Sequence, residues 1–334
     1  MAASSTPLSL LLVNDNAQPK SINTDAATVR VGFLGPRGTF TEQALLTQPD
    51  LAASELLPYP SMADVLRATE TGEVDLGFVA IENSIEGTVN VTSDTLAFDV
   101  DLYIQREVVI PIQQHLMAVA GAELSDIEEV VSMPHATAQA RRFLHQNLPG
   151  VRTRAANSTS EAAAQVASDA NPKVAAIGNQ LAATIYGLEI LAADIEDHPE
   201  NQTRFLAVGP RVVPAPTGHD KTSIVVFQRK DAPGSLLAIL QQFAARSINL
   251  TNLQSRPTKK GLGDYCFMLD LEGHIADDVV ADCLRTLKVG GHDVKFLGSY
   301  PAAGDHGPAL REAAADATNK ADNWIASLRH QMRP

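Results

Sequence analysis

The chain has 334 residues, 45% of them apolar, which is too much for one hydrophobic core and predicts two or three folded, soluble domains. A formal charge of −13 leaves no broad basic face for nucleic acid, although a few local cations would still suffice to hold a small anion. Two cysteines without ligand spacing argue against a disulfide framework or a metal site and fit a reducing cytoplasm. No apolar run is long enough to span a membrane, and Leu8–Val13 lacks the preceding basic residues of a signal peptide.

Residues 1–28 are rich in Ser, Ala, Asn and Thr, lack periodicity and are expected to form a mobile extension. Order begins with a buried strand at Val29–Leu34, closed by Gly35 and Pro36, and a helix from Thr39 to Leu46 with Thr39 or Thr41 as its cap. Helices follow at Ser61–Glu70 and Ser93–Ala97, with a strand at Leu76–Ile81 between them. Strands at Val108–Ile112 and His115–Ala120 lead to helices at Ala136–Asn147 and Ser160–Ser168. A strand at Val174–Gly178, a helix at Gln180–Tyr186 and a strand through Leu206–Val208 complete the region. This alternation over residues 29–212 predicts α/β sheets in two lobes, with a central cleft and ligand sites at strand ends.

The Pro-rich stretch Pro210–Asp220 breaks the pattern, and a linker is placed at residues 213–220. Strand Lys221–Gln228, loop Arg229–Gly234, helix Ser235–Arg246 and strand Leu250–Arg256 come next. A turn at Lys259–Asp264, strand Tyr265–Leu271, helix Asp277–Val289 and strand Asp293–Ser299 finish a βαββαβ order, the α+β ferredoxin-like arrangement, over residues 221–300. Residues 301–334 read as a tail with a short amphipathic helix at Asn323–Arg329.

Polar clusters at the ends of these elements carry the chemistry. The run Asn201-Gln202-Thr203-Arg204-Phe205 sets a hydroxyl beside a permanent cation at a strand start, as a small dianion would require, or is an ordinary strand start. Glu82, Asn83 and Ser84 emerge together at a strand end, ahead of Gly87. Gly35 to Thr41 joins a strand to a helix whose free N–H groups attract anions. Gln139 lies one turn beyond His135, so the two share a face. Ser158, Thr159 and Ser160 precede Glu161 at a helix start, where capping is the simpler reading.

The segments Gly35-Pro36-Arg37-Gly38-Thr39-Phe40, Ile81-Glu82-Asn83-Ser84-Ile85-Glu86-Gly87, Asn157 to Ala163 and Asn201 to Phe205, in that order, resemble prephenate dehydratase. The module after them resembles an ACT regulatory domain, where Pro233, Gly234, Ser235, Leu236 and Leu237 and the run Gln254, Ser255, Arg256 and Pro257 match the segments that line a phenylalanine site. The resemblance runs from about Arg30 to Ser299. It implies a two-lobed catalytic unit similar to type II periplasmic binding proteins, and conversion of prephenate to phenylpyruvate with loss of water and CO2. It implies Thr203 as the critical hydroxyl and Glu82 as a polar cleft residue; Thr203 is a poor acid, so Glu82 or ordered water is expected as the proton's source. Asn83, Ser84 and Gln139 become substrate contacts, supported by Thr39, Ser158 and Thr159, with Arg204 a contact only where the backbone bends.

Two departures stand out: Met133, His135 and Ala140 replace the family's His, Gln and Cys, and Gln254 replaces a Glu. No metal, redox cofactor or covalent nucleophile is needed, because aromatisation of the ring drives the reaction. The resemblance further implies L-phenylalanine or another aromatic amino acid as effector, and a homodimer or homotetramer. Arogenate, the amino analogue, is the alternative substrate. A non-catalytic two-lobed amino-acid sensor is the alternative of another class. A fused chorismate mutase is not expected, since residues 1–28 have no room for it.

Overall fold

The computed structural model describes residues 28–228, 232–258, 264–304, 320 and 323–331. The expected extension at residues 1–27, most of the turn at 259–263, loop residues 229–231 and the tail at 305–319 lie outside the described residues. Three sheets organise the described residues.

The first lobe runs β1 (Arg30–Leu34), α1 (Phe40–Leu46), α2 (Pro49–Ala52), β2 (Glu55–Tyr59), α3 (Met62–Glu70), β3 (Leu76–Asn83), β4 (Gly87–Thr88), α4 (Asn90–Asp94) and β5 (Tyr103–Pro111). The second runs β6 (His115–Ala118), β7 (Glu129–Ser132), α5 (Pro134–Gln139), α6 (Arg141–Asn147), β8 (Arg152–Ala155), α7 (Thr159–Asp169), β9 (Val174–Gly178), α8 (Gln180–Tyr186) and β10 (Glu189–Ala192). The chain then returns to the first lobe with β11 (Gln202–Gly209). The third unit is β12 (Asp220–Phe227), α9 (Ser235–Ala244), β13 (Leu250–Pro257), β14 (Tyr265–Glu272), α10 (Asp278–Val289) and β15 (Asp293–Pro301).

In the first sheet the order is β2-β1-β3-β11-β5, with β4 beside β3; in the second it is β10-β6-β9-β7-β8. The chain crosses between lobes twice, at residues 112–114 and 193–201, and the two crossings are tied together. Ile112 N donates to Asn201 O at 2.8 Å, and Ile195 N to Gln114 O at 2.8 Å. The third sheet, β13-β14-β12-β15, is wholly antiparallel. Residues 323–330 form a helix, as their spacing predicts.

Local chemistry sets the helix starts. Thr39 caps α1, Ser61 caps α3, Ser158 caps α7 and Asn179 caps α8, each side chain accepting from a backbone N–H inside the first turn. The helix expected over Ala136–Asn147 is interrupted at Ala140, where φ is −111°. The helix expected at Ser93–Ala97 is a short α-turn continued by a π-turn at Thr95–Asp99.

The core explains how the third unit sits. One face of its sheet packs on α9 and α10 through Ile224, Val226, Ile239, Phe243 and Leu269. The opposite face, with Val225, Cys266, Met268, Leu297 and Tyr300, shares one apolar cluster with Val79, Ile81, Leu96, Ile104, Leu206 and Val208 of the first lobe. Lys295 fastens this contact by donating Nζ to the carbonyls of Leu96 at 2.8 Å and Val100 at 2.6 Å. Gly298 is required here: a Cβ would stand 2.5 Å from Ile104 O, at a φ of +137°.

Candidate active site

The site begins with the alternation of β11. Phe205 and Ala207 point into the cluster with Phe33, Phe78 and α1, whereas Leu206 and Val208 point toward the third sheet. Phe205 stacks on Phe78 with ring centroids 5.5 Å apart, a contact worth about 0.5–1.5 kcal/mol beyond burial. Thr203 shares Phe205's face; Arg204 shares that of Leu206.

On β3 a bulge alters this simple rule. Arg204 pairs with Glu82 but Phe205 pairs with Ala80, so Ile81 is an extra residue. Beyond the bulge, Asn83 pairs with Thr203 and faces it, and Glu82 falls on the Arg204 side, its carboxylate 3.8 Å from Arg204 Nη1. The expected placement of Glu82 beside the Thr203 hydroxyl is therefore corrected: the bulge turns it to the other face of the sheet.

The orientation of the Asn83 amide is fixed by its neighbours. Its Oδ1 accepts from the backbone N–H groups of Ile85 at 3.0 Å and Glu86 at 2.9 Å, and a backbone N–H can only donate. Nδ2 must then face the other way, where it donates to Thr203 Oγ1 at 2.9 Å and Asn201 Oδ1 at 2.8 Å. Thr203 Oγ1 is thus an acceptor toward Asn83, which leaves its own O–H to donate to a ligand.

A chain of amides continues from there. Asn201 Nδ2 donates to Gln139 Oε1 at 3.3 Å, and Gln139 Nε2 donates to Glu86 Oε1 at 3.2 Å. His135 Nδ1 lies 3.2 Å from the other oxygen of Glu86. Ser84 joins at Asn201 Oδ1, 3.3 Å away, and takes a bond from Gln202 N at 3.0 Å. Gln139 and His135 belong to the second lobe and the rest to the first lobe or its crossing, so the chain spans the cleft.

A second bridge closes the far side. The Ser160 hydroxyl and Tyr186 Oη, from the second lobe, both donate to Arg37 O, the latter at 3.1 Å. Gly38 is packed against them: a Cβ there would lie 2.9 Å from Ser160 Oγ, at a φ of +87°.

The structure brings together Thr203, Asn83, Ser84 and Gln139 of the predicted residues. Thr39 and Ser158 sit near lobe contacts, but their oxygens cap α1 and α7, accepting from Glu42 N at 3.3 Å and Glu161 N at 2.9 Å. Thr159 is buried beside Gly178. Arg204 is not with the cleft group: it points behind the sheet to Asp270 and Tyr300, because consecutive strand residues face opposite ways. Asn201, 1% exposed, is the residue that sequence reasoning left without a role; its place ahead of Thr203 was visible, but its partner on α5 was not.

The proposed effector segments meet at one end of the third sheet, since Phe227 and Arg256 both pair with Cys266 across β14. Pro233 and Gly234 open α9, with Ser235 and Leu236 half-buried and Leu237 exposed. Ser255 and Pro257 face outward. Gln254 and Arg256, in contrast, face the first lobe, where Arg256 Nη1 bonds Asn90 Oδ1 at 2.6 Å and its Nε bonds Asp94 Oδ1 at 3.0 Å.

Fold and site together define a two-lobed α/β unit with an amide-lined cleft, carrying a ferredoxin-like module on its back. The family profile for prephenate dehydratase matches residues 31–212, and that for the ACT domain matches residues 222–289. The prephenate dehydratase of Amycolatopsis methanolica is 40% identical over 303 residues, 90% of this chain and 97% of that one. The structure of prephenate dehydratase from Arthrobacter aurescens in complex with L-Phe superposes with a TM-score of 0.78 at 39% identity, covering 89% of this chain and all of that one. GqqA, described as a quorum-quenching acylase, superposes with a TM-score of 0.75 at 27% identity over 82% of this chain and 98% of its own. The chain belongs to the prephenate dehydratase family and carries a C-terminal ACT domain. No helix among the described residues is long and apolar enough to cross a membrane.

Proposed function

We propose that the chain converts prephenate to phenylpyruvate, releasing water and CO2, in the cytoplasmic synthesis of L-phenylalanine. One observation carries the reading: Asn83 occupies the acceptor side of Thr203 and frees the Thr203 O–H to donate. Loss of the ring carboxylate as CO2 pushes electrons into the ring, and the ring hydroxyl leaves from the opposite carbon as the ring becomes aromatic. A hydrogen bond from Thr203 stabilises the oxygen as it departs. Thr203 is too weak an acid to be the final proton source, so water supplies the proton. Proton donation of this kind contributes ~100- to 10,000-fold. Holding the dianion in place, away from water, supplies much of the rest.

Ser84, Asn201 and Gln139 orient the ligand, and the first turn of α7, carried to the first lobe by Ser160, offers its positive end to a carboxylate. An acylase chemistry would need a hydroxyl donating to a base, whereas the Ser84 hydroxyl donates to Asn201 Oδ1 and the Thr203 oxygen accepts from Asn83. L-Phenylalanine is the effector on this reading, held where Pro233–Leu237 and the outward residues of β13 converge between two subunits of a homodimer or homotetramer.

The test is direct. Purified protein is incubated separately with prephenate and arogenate, with and without L-phenylalanine. Phenylpyruvate from prephenate, at a rate that L-phenylalanine alters, is expected. Phenylalanine from arogenate alone would assign the other substrate, and turnover of neither would overturn the reading.

A further inference from the structure

Thr203 and Arg204 are neighbours on β11 with opposite surroundings. Thr203 faces the cleft, while Arg204 is almost wholly enclosed between the first lobe and the ACT domain. Its Nη1 donates to Asp270 Oδ2 at 2.6 Å and its Nη2 to Tyr300 Oη at 3.0 Å. Its Nε lies 2.9 Å from Glu107 Oε1, which also takes a bond from Lys221 Nζ at 2.9 Å. The second oxygen of Asp270 accepts the Ser223 hydroxyl at 2.5 Å, and that hydroxyl meets Tyr300 Oη at 2.7 Å.

Arg204 and Glu107 belong to the catalytic lobe; Asp270, Lys221, Ser223 and Tyr300 belong to the ACT domain. Two cations, Arg204 and Lys221, meet the carboxylates of Glu107 and Asp270 here, with the half-exposed Glu82 at 3.8 Å on the rim. Burial opposes charge on Arg204, but Asp270 and Glu107 outweigh it and push its pKa up. Such a set adds little stability over apolar packing, because desolvation offsets attraction. What it adds is direction: a planar fork of donors accepts one geometry.

We propose that Arg204 is a positioning residue for Thr203, and that its bond to Asp270 carries the state of the ACT domain to the cleft. The proposal rests on the function and effector argued above. Consecutive Cα atoms are held about 3.8 Å apart, so β11 cannot shift at Arg204 without moving Thr203. The Thr203–Asn83 bond is single and directional, and a misplacement of about 1 Å at a reacting group can cost ~100-fold.

A second tie runs from the same module. Arg256 grips Asn90 and Asp94 of α4, which follows the Glu82–Gly87 turn, while Ser255 and Pro257 beside it face outward. The ACT sheet thus contacts both β11 and α4 of the first lobe, the form that coupling between sites takes.

The experiment compares the full chain with Asp270→Asn and Tyr300→Phe. Folding is checked by thermal unfolding, and L-phenylalanine binding by calorimetry. For Asp270→Asn, L-phenylalanine affinity should stay within ~threefold, and KM for prephenate likewise. Its kcat should fall ~tenfold or more, and its response to L-phenylalanine at least ~fivefold. Amide hydrogen exchange at residues 202–205 should quicken. Tyr300→Phe, which changes no charge, should show the same pattern more weakly and serves if Asp270→Asn does not fold. A folded variant with lower stability but unchanged kcat, unchanged response and unchanged exchange at β11 would overturn the proposal. Exchange is read without turnover, so it still decides the matter if wild-type protein proves inactive on prephenate, an outcome that would count against the function alone.

Discussion

Asn83 decides what Thr203 can do. Two backbone N–H groups hold its carbonyl oxygen, so its amino group is obliged to face the Thr203 oxygen. Asn83→Asp would put a carboxylate oxygen against Thr203 Oγ1 and Asn201 Oδ1: the Thr203 O–H would turn to donate to it and be lost to the ligand, while the contact with Asn201 Oδ1 would become repulsive. We expect kcat to drop ~100-fold or more with thermal stability lowered only modestly, measured by steady-state phenylpyruvate formation and thermal unfolding. Glu82 gives the opposite expectation. Its carboxylate lies behind the sheet and 42% exposed, near Arg204, so Glu82→Gln should keep kcat within ~fivefold, a small surface-pair effect. Chemistry at this scale was half legible in the sequence. The polar residues at the strand end are visible as letters, but the extra residue at Ile81 that sends Glu82 one way and Asn83 the other is a property of a strand pair, not of a strand.

At the scale of elements, local rules served well and pairings did not. The caps at Thr39 and Ser158 and the helix Gln180–Tyr186 follow from residues a few positions apart, and their oxygens bond as the pattern requires. The short strands β2, β7, β8 and β10 went unread. β8, Arg152–Ala155, is mostly polar and exposed along its length, and only its pairing with β7 makes it a strand. The loop between β1 and α1 packs on the second lobe, with Gly38 against Ser160 and Ala182. Gly38→Ala must accommodate a Cβ 2.9 Å from Ser160 Oγ at a φ of +87°. Part of that cost falls on the closed arrangement of the lobes. KM for prephenate should rise ~fivefold or more, with a smaller change in kcat; unchanged KM in the folded variant would argue that the loop has no part in closure.

For the whole molecule, the decisive feature is that the ACT sheet has no free inner face. Val225, Met268 and Leu297 complete the same cluster that holds Leu206 and Val208, so catalytic strand and regulatory sheet are parts of one core. The sequence shows the βαββαβ module, but not that Arg204 belongs to its interface, since the partners Asp270 and Tyr300 lie far along the chain. Cys266 lies in this shared cluster, and Cys283 in the cluster between the sheet and its helices. Burial pushes the thiols of Cys266 and Cys283 from the ordinary 9.0 up to about 11. The folded protein should resist a thiol reagent at pH 8, and both groups should react once it is denatured. The sign follows: a thiol whose folded pKa is raised favours the fold fully below pH 9, and that contribution drains away as pH climbs toward 11. Thermal unfolding between pH 8 and 11 should therefore show stability falling with rising pH, less so in a Cys283→Ala variant.

The central claim is that the hydroxyl at position 203 assists the departing oxygen of prephenate. Steady-state phenylpyruvate formation by Thr203→Ala and Thr203→Ser tests it most directly. The account predicts a loss in kcat of ~100-fold or more for Thr203→Ala and activity within ~tenfold of wild type for Thr203→Ser. A folded Thr203→Ala enzyme with near-normal kcat would contradict it.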